Sequence, residues 1–325
     1  MGRASHLSAE ERDEISILHA EGKNPAQIAK IIGRHRSTIT RELERTTSVF
    51  YRDKYIGSQS HKNIQKTWKE AHNRKRLDNP KMIEYIESKL KFGYSPEIIS
   101  NKMAEDIGIS VSHEAVYQFV YKERNDLTVF LTRRHLGRKP RRKGRKSKRT
   151  LIPNRIDIDK RPIEANERKE FGHFEGDTIV SKKSLSALLV IADRLTRRTK
   201  IKKLTRKTAL QASSNIIFAL KDYNIIDLKT MTFDNGSEFC YHEKVKEQSG
   251  TEIYFCKPYH AWEKGTVENI NGLIRRFFPK GTDFDTITEE QIQYVEDWIN
   301  NRPMKCLGFK SPNEKAFELN VAIAC

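Results

Sequence analysis

Cysteine is scarce and unpaired in this chain. Four of its 325 residues are cysteine (Cys240, Cys256, Cys306, Cys325), and no two of them form a CxxC motif. That spacing argues against a disulfide framework and for a reducing compartment. Long apolar runs are also missing: no stretch reaches bilayer-spanning length. The opening MGRASHLSAEER lacks the apolar centre of a signal peptide. A soluble intracellular protein with no membrane partner is expected. Acids are in deficit, 43 Asp and Glu against 61 Lys and Arg, which gives a net charge of +18 and a pI of about 9.6. An excess of that size favours a polyanionic partner, most simply nucleic acid. Between 133 and 149 (RRHLGRKPRRKGRKSKR) there is no acid at all. Such a run cannot bury a core; it reads as a basic tether able to clamp phosphates, with Arg141, Arg142, Lys143 and Arg145 as candidate contacts.

What is present falls into two kinds of pattern. The first is helical. Ser8 and Glu11 have capping-box spacing and predict a helix through Ile15 and Leu18 to Gly22. Asn24-Pro25 opens a second, with Ile28, Ala29, Ile31 and Ile32 as its apolar positions and Gly33 as its end. Ser37 is expected to cap a third, STITRELER, with Ile39 and Leu43 buried. Helix, Gly-containing turn, helix is the helix-turn-helix arrangement. The third helix would then present Arg34, Arg36, Ser37, Thr38, Thr40, Arg41 and Arg45 to DNA. The logic repeats at Ser95-Pro96-Glu97, with a stripe of Ile98, Ile99 and Met103 up to Gly108, and again at Ser112 before HEAVYQFVYKE. That last helix is poorer in Lys and Arg, which leaves dimer contacts or protein docking open for it. The expected organisation is a helix-turn-helix domain over 1–48, a basic helical linker over 49–80, a second helix-turn-helix over 81–125, a basic linker over 126–160 and a larger domain over 161–325.

The second pattern starts near residue 172. GHFEGDTIVS, SALLVIADR and RRTKIKKL read as short strands. In the first, alternation sets Glu175, Asp177 and Ile179 on one side and Phe174, Thr178 and Val180 on the other. A helix over 207–222, a strand DLKTMTF, a helix over 236–248, a strand EIYFC and a helix from about Glu263 complete an α/β pattern with five strands. Active groups in such sheets gather at the carboxyl ends of strands, which suits Asp234 after DLKTMTF. On the last helix Glu268, Asn271 and Arg275 stand at i, i+3 and i+7 in one narrow sector, beside an apolar stripe of Val267, Ile270, Ile274 and Phe277. Asp177, Asp234 and Glu268 come from three separate elements. Three converging carboxylates of this kind can hold two divalent ions over a phosphodiester, and Arg275 and Asn271 would face DNA beside them.

At these residues the chain resembles the DDE transposases of bacterial insertion sequences. The strings GHFEGDT, TFDNGSEF, PYHAWEKGTVENINGLIRRFFPKGT and NNRPMKCLGFKSP are similar to those of the IS-thirty family in particular. GRHRSTITREL and YSPEIIS…VSHEAVYQFVY are similar to that family's two helix-turn-helix regions. The resemblance covers nearly the whole chain. It departs at Phe174, Tyr94, Val267 and Met304, where the family carries Trp, Trp, Asn and Arg; no departure removes an acid. The resemblance implies helix-turn-helix modules followed by an RNase H-like, integrase-type core with a mixed five-stranded sheet. It implies two Mg²⁺ ions, replaceable by Mn²⁺, held by Asp177, Asp234 and Glu268, with Arg275 as an accompanying cation. It implies cleavage at terminal inverted repeats and strand transfer into target DNA by a dimer or larger synaptic assembly in the bacterial nucleoid. The alternative is a catalytically silent, sequence-specific DNA-binding regulator. Glu175, Asp193 and Glu238 compete as acids, with a strand position, a turn and a supporting role as their expected places. Cys240, His242, Cys256 and His260 fit no standard zinc spacing.

Overall fold

The computed structural model describes residues 6–46, 55–73, 77–131, 152–258 and 260–319. The tether residues Arg141, Arg142, Lys143 and Arg145 lie outside these, as does the side chain of Arg45. The chain divides into two compact units, Met1–Asp78 and Asn79–Cys325.

The first unit contains α1 (Ala9–Ala20), α2 (Pro25–Ile32), α3 (Arg36–Thr46) and α4 (Gly57–Asn73). The capping box of Ser8 with Glu11 is formed, and a second joins Asn24 to Gln27. Gly33 closes α2 at φ +73°. Leu7, Ile15, Leu18, Ile28, Ala29, Ile39 and Tyr55 make the core. Ile31 is not part of it and stands half-exposed. The third helix begins a residue earlier than its serine suggested: His35 Nδ1 accepts from the amide of Ser37, so Ser37 sits inside the first turn. α4 is tied to this bundle through Glu42, which is buried and accepts from Arg12 Nε at 2.8 Å, from Tyr55 and from Ser60. Gly57 is held so close to α1 that a Cβ there would meet the Arg12 carbonyl.

The second unit opens with α5 (Pro80–Lys91), α6 (Pro96–Ile107) and α7 (His113–Lys122). Ser112 caps α7 through the Ala115 amide, whereas Ser95 occupies the cap position of α6 without a side-chain cap bond. After α8 (Ile163–Glu167) come β1 (His173–Val180), β2 (Ala187–Asp193), β3 (Thr199–Leu204), α9 (Ala209–Leu220), β4 (Thr230–Phe233), α10 (His242–Ser249), β5 (Glu252–Phe255), α11 (Gly265–Phe277), α12 (Glu289–Asn301) and α13 (Pro312–Glu318). β4 is shorter than the DLKTMTF run: Asp227 belongs to a 3-10 turn and the strand starts at Thr230.

The sheet order is β3-β2-β1-β4-β5, antiparallel among the first three and parallel from β1 to β4 to β5. This is the mixed five-stranded sheet of an RNase H-like core. β2 is buried on both faces, which is why ALLVIA reads as a continuous apolar run. Leu189 and Ile191 pack with Phe174, Phe233, Phe255 and α9 on one side. Leu188 and Val190 pack with Ile179, Ile201, α11 and α12 on the other. α12, for which the sequence raised no expectation, also closes the outer edge of β3. Glu296 Oε2 accepts from the Ile201 amide at 2.7 Å, and the Asn300 side chain exchanges two bonds with the backbone of Thr199.

The α5–α7 module docks on this core through the turn after α5. Trp298 Nε1 donates to the Phe92 carbonyl at 2.9 Å, and Arg276 donates to the carbonyls of Gly93 and Phe130, both at 3.0 Å. Gly93 has φ +99°, and a Cβ there would lie 2.8 Å from the Trp298 ring. No helix among the described residues is long and apolar enough to cross a membrane.

Candidate active site

The parallel pairing of β1 with β4 aligns Glu175 with Thr232. Continuing that register by two residues sets Asp177, in the middle of β1, beside Asp234, just past the carboxyl end of β4. Gly176 makes this approach possible: a Cβ on it would stand 2.4 Å from the Phe233 ring, so the ring lies directly over the backbone of β1. Beyond β4, Asp234 accepts from the Gly236 amide at 3.1 Å and Asn235 donates to the Cys256 carbonyl at 2.8 Å. The DNG turn therefore locks the ends of β4 and β5 together.

A lysine not singled out in the sequence joins the two acids. Lys264 is 4 % exposed. Its Nζ lies 3.1 Å from Asp177 Oδ1 and 3.6 Å from Asp234 Oδ2, and donates to the Gly176 carbonyl at 3.2 Å. Burial alone would depress its pKa, but the attraction of Asp177 and Asp234 outweighs burial and raises it. The only signal for this residue was its place four positions before Glu268 in the EKGTVEN string. Asn271, one helical turn after Glu268, donates Nδ2 to Asp177 Oδ2 at 2.7 Å, while its own Oδ1 is buried without a partner. Glu268 itself is exposed on α11. The structure thus brings Asp177 and Asp234 together around one ammonium, with Asn271 bonded to Asp177 and Glu268 one turn earlier on the same helix. Among the described residues no three His, Cys, Asp or Glu side chains stand close enough to share one metal ion.

The competing acids have other partners. Glu175, fully buried, accepts from the amides of Thr266 and Val267 at 2.9 and 3.0 Å and from Arg194 Nη1 at 2.6 Å. It anchors the positive end of α11 and so fixes the helix that carries Glu268 and Asn271. Val267 contributes its amide to this bond and its side chain to the core. Asp193 is the turn residue between β2 and β3, accepting from Gly172, Leu195 and Thr196, and burial raises its pKa. Glu238 is buried and accepts from Thr178 and Lys207.

Arg275 points its guanidinium at carbonyls, those of Phe278 and Pro279 at the end of its own helix and of Val180 at the end of β1, and lies over the Phe284 ring. In the first unit Arg34 is engaged by Glu11 in a two-pronged ion pair, with Nε 2.7 Å from Oε1 and Nη2 3.1 Å from Oε2. Arg36 and Arg41 are exposed on α3, with Ser37, Thr38 and Thr40 half-buried beside them. Thr40 bonds back to the Arg36 carbonyl.

Two carboxylates aimed at one buried cation and a nearby amide oxygen without a partner offer oxygen donors only, with Glu268 not close enough to share an ion with both acids. Such donors fit hard ions such as Mg²⁺ or Mn²⁺.

Residues 3–46 match the model of a family described as a helix-turn-helix domain. Over 96 % of its length the chain is 38 % identical to the transposase of insertion sequence element IS4351 from Bacteroides fragilis, of which it covers 95 %. It is 29 % identical over 95 % of its length to the transposase InsI of element IS30A from Escherichia coli K12, covering 83 % of that protein. A putative integrase of Spiroplasma virus SpV1-R8A2 B is 30 % identical over 90 % of the chain, which covers 89 % of it. Among solved structures, the catalytic core domain of BIV integrase aligns with 46 % of the chain and 95 % of its own length, at 18 % identity and a TM-score of 0.37. On the strength of relatives matched from end to end, the chain belongs to the insertion-sequence transposases of the IS-thirty family, polynucleotidyl transferases with a helix-turn-helix DNA-binding domain.

Proposed function

We propose that this transposase binds the terminal inverted repeats of its own element and cuts and joins DNA there in a Mg²⁺-dependent reaction. Asp177, Asp234 and Glu268 are its metal-holding carboxylates. The observation that carries the reading is the convergence of Asp177 and Asp234 on the one ammonium of Lys264. In a protein of net charge +18, two acids held side by side on neighbouring parallel strands are poorly explained by surface solvation. When bound, divalent ions supply an activated oxygen nucleophile and charge neutralisation at the leaving oxygen of an in-line phosphoryl displacement.

The chain's own residues do the positioning. β1 and β4 fix the acid pair, Asn271 orients Asp177, and Glu175 holds the start of α11, the helix that carries Glu268. Arg275 braces the end of α11 against β1. Repeat recognition falls to α3, with Arg36, Ser37, Thr38, Thr40 and Arg41 as its major-groove contacts and Arg34 held back by Glu11. The basic run around Arg141, Arg142, Lys143 and Arg145 adds phosphate contacts that weaken with salt. Two element ends must be joined, so a dimer or larger assembly on nucleoid DNA is part of the reading.

Labelled DNA carrying the element's ends, incubated with Mg²⁺ or Mn²⁺, tests it. The native protein is expected to nick at the repeat boundary, and Asp177→Asn, Asp234→Asn and Glu268→Gln to bind without nicking. Specific binding with no cleavage by the native protein, with paired ends supplied, would replace this reading by that of a DNA-binding regulator. Light scattering that finds one chain in the active DNA complex would remove the assembly.

A further inference from the structure

Of the chain's three tryptophans, Trp298 is buried in the core, whereas Trp262 is 71 % exposed. Trp262 is nonetheless ordered by its surroundings. Its indole stacks on the His260 ring, centroids 4.4 Å apart and planes within 26°. His260 Nδ1 contacts Glu263 Oε1 at 3.3 Å, and the other oxygen of Glu263 accepts from the Lys257 amide at 2.9 Å. One acid therefore pins the segment that carries both rings. Two residues after Trp262 comes Lys264, buried between Asp177 and Asp234, and Cα atoms two residues apart are separated by at most about 7.6 Å.

An indole with one face covered by a flat ring and most of its area in water is half of a stack. We infer that His260 and Trp262 form a platform for an unpaired nucleobase of the DNA strand whose phosphate lies at the acid pair. The chemistry selects this occupant. Groove readers present groups to base edges, whereas a bare aromatic face is matched by a base face, and in a duplex those faces are already stacked. The ligand is therefore a base that has left the helix, at a melted end or beside a nick. Stacking is tolerant of base identity, so the platform recognises strand opening, not sequence. This inference rests on the proposed function, since it takes DNA to be the substrate of the acid pair.

The test measures equilibrium binding of the full-length protein to element-end DNA, either fully paired or with the terminal nucleotides unpaired by mismatches. 2-Aminopurine is placed in turn at each unpaired position. The native protein is expected to prefer the opened end and to quench 2-aminopurine at one position. Trp262→Ala should lose that quench and weaken opened-end binding by roughly 5- to 150-fold, the range for one base–aromatic stack, while its affinity for paired DNA stays unchanged. Trp262→Phe should keep most of the preference. Equal loss on both DNAs, or a preference that survives Trp262→Ala, would overturn the platform while leaving the functional reading in place. Failure of the native protein to bind either DNA would overturn both.

Discussion

Asn271 Nδ2 holds Asp177 Oδ2 at 2.7 Å, so a residue on α11 orients a residue on β1 that lies 94 positions earlier in the chain. Partners that orient metal-holding carboxylates cost about 10- to 100-fold in activity when removed. Asn271→Ala is therefore expected to slow single-turnover cleavage by that factor. The thermal melt should change little, because Asn271 is only half-buried. An unchanged rate would mean that Asp177 needs no such orientation.

Lys264→Met removes the ammonium between Asp177 and Asp234. Truncating one side of a buried ion pair costs roughly 3–5 kcal/mol, and the lower end applies because the Asp234 side chain is 47 % exposed. Without divalent ions the variant should melt well below the native protein. With Mg²⁺ it should recover more stability than the native protein gains. Melts of both proteins across a Mg²⁺ titration decide this, and equal Mg²⁺ responses would contradict it.

Glu175→Gln should destabilise the second unit and not merely slow it. The glutamine can still accept from the amides of α11, but Arg194 is left as an uncompensated charge that is 5 % exposed. A loss of about 3–5 kcal/mol is expected by denaturant titration. A loss below about 1 kcal/mol, the scale of an exposed pair, would show that water reaches Arg194.

Gly93→Ala probes the docking of the α5–α7 module. The new Cβ would sit 2.8 Å from the Trp298 ring at a φ of +99°, and non-glycine residues in such regions cost on the order of 1–3 kcal/mol. Hydrogen exchange over 80–131 should accelerate while the first unit keeps its protection. Unaltered exchange over that span would dismiss the contact as a determinant of docking.

The first unit carries a pH dependence centred on Glu42. Burial pushes its carboxyl up, but hydrogen bonds from Ser60 and Arg12 outweigh burial and bring it below its ordinary value of 4.5. A carboxyl depressed in the folded state contributes stability above its unfolded value, and that contribution is lost as pH falls through the folded one. Glu42→Gln should therefore be less stable than the native protein at neutral pH, and the gap should close below about pH 4. Melts of the two proteins from pH 7 to 3 give the comparison, and a gap constant with pH would rule the linkage out.

What was legible in the sequence was local. The capping box of Ser8, the helix start at Asn24-Pro25, the alternation of β1 and the sectors of α11 all follow from residues within a turn or two of one another, and the structure matches them at Ser8, Asn24, Ile179 and Ile270. Asp234 could be placed at a strand end, and Asp177 on one face of its strand, for the same reason. Partners across long separations were not legible. Periodicity tells which face of α11 is buried, but not that Glu175 will meet its first amides, nor that Lys264 will reach between two strands. Arg34 looked available to DNA because nothing in its neighbourhood announces Glu11, 23 residues away. α12 raised no expectation although Ile292, Val295, Trp298 and Ile299 recur at helical spacing behind a capping box of Thr288 with Gln291; only its second task, satisfying strand backbone, leaves no periodic mark.

That task has a wider consequence. Because Glu296 takes the outward amide of Ile201 and Asn300 both backbone groups of Thr199, another molecule that would lengthen the sheet by laying down a strand finds the first half of β3 already engaged. Lateral growth of this kind is the usual route from a crowded α/β protein to an intermolecular ladder. Blocking it on the β3 side leaves side chains, not main-chain groups, for any second molecule to meet there, a contact that can part again where a shared main-chain ladder would resist.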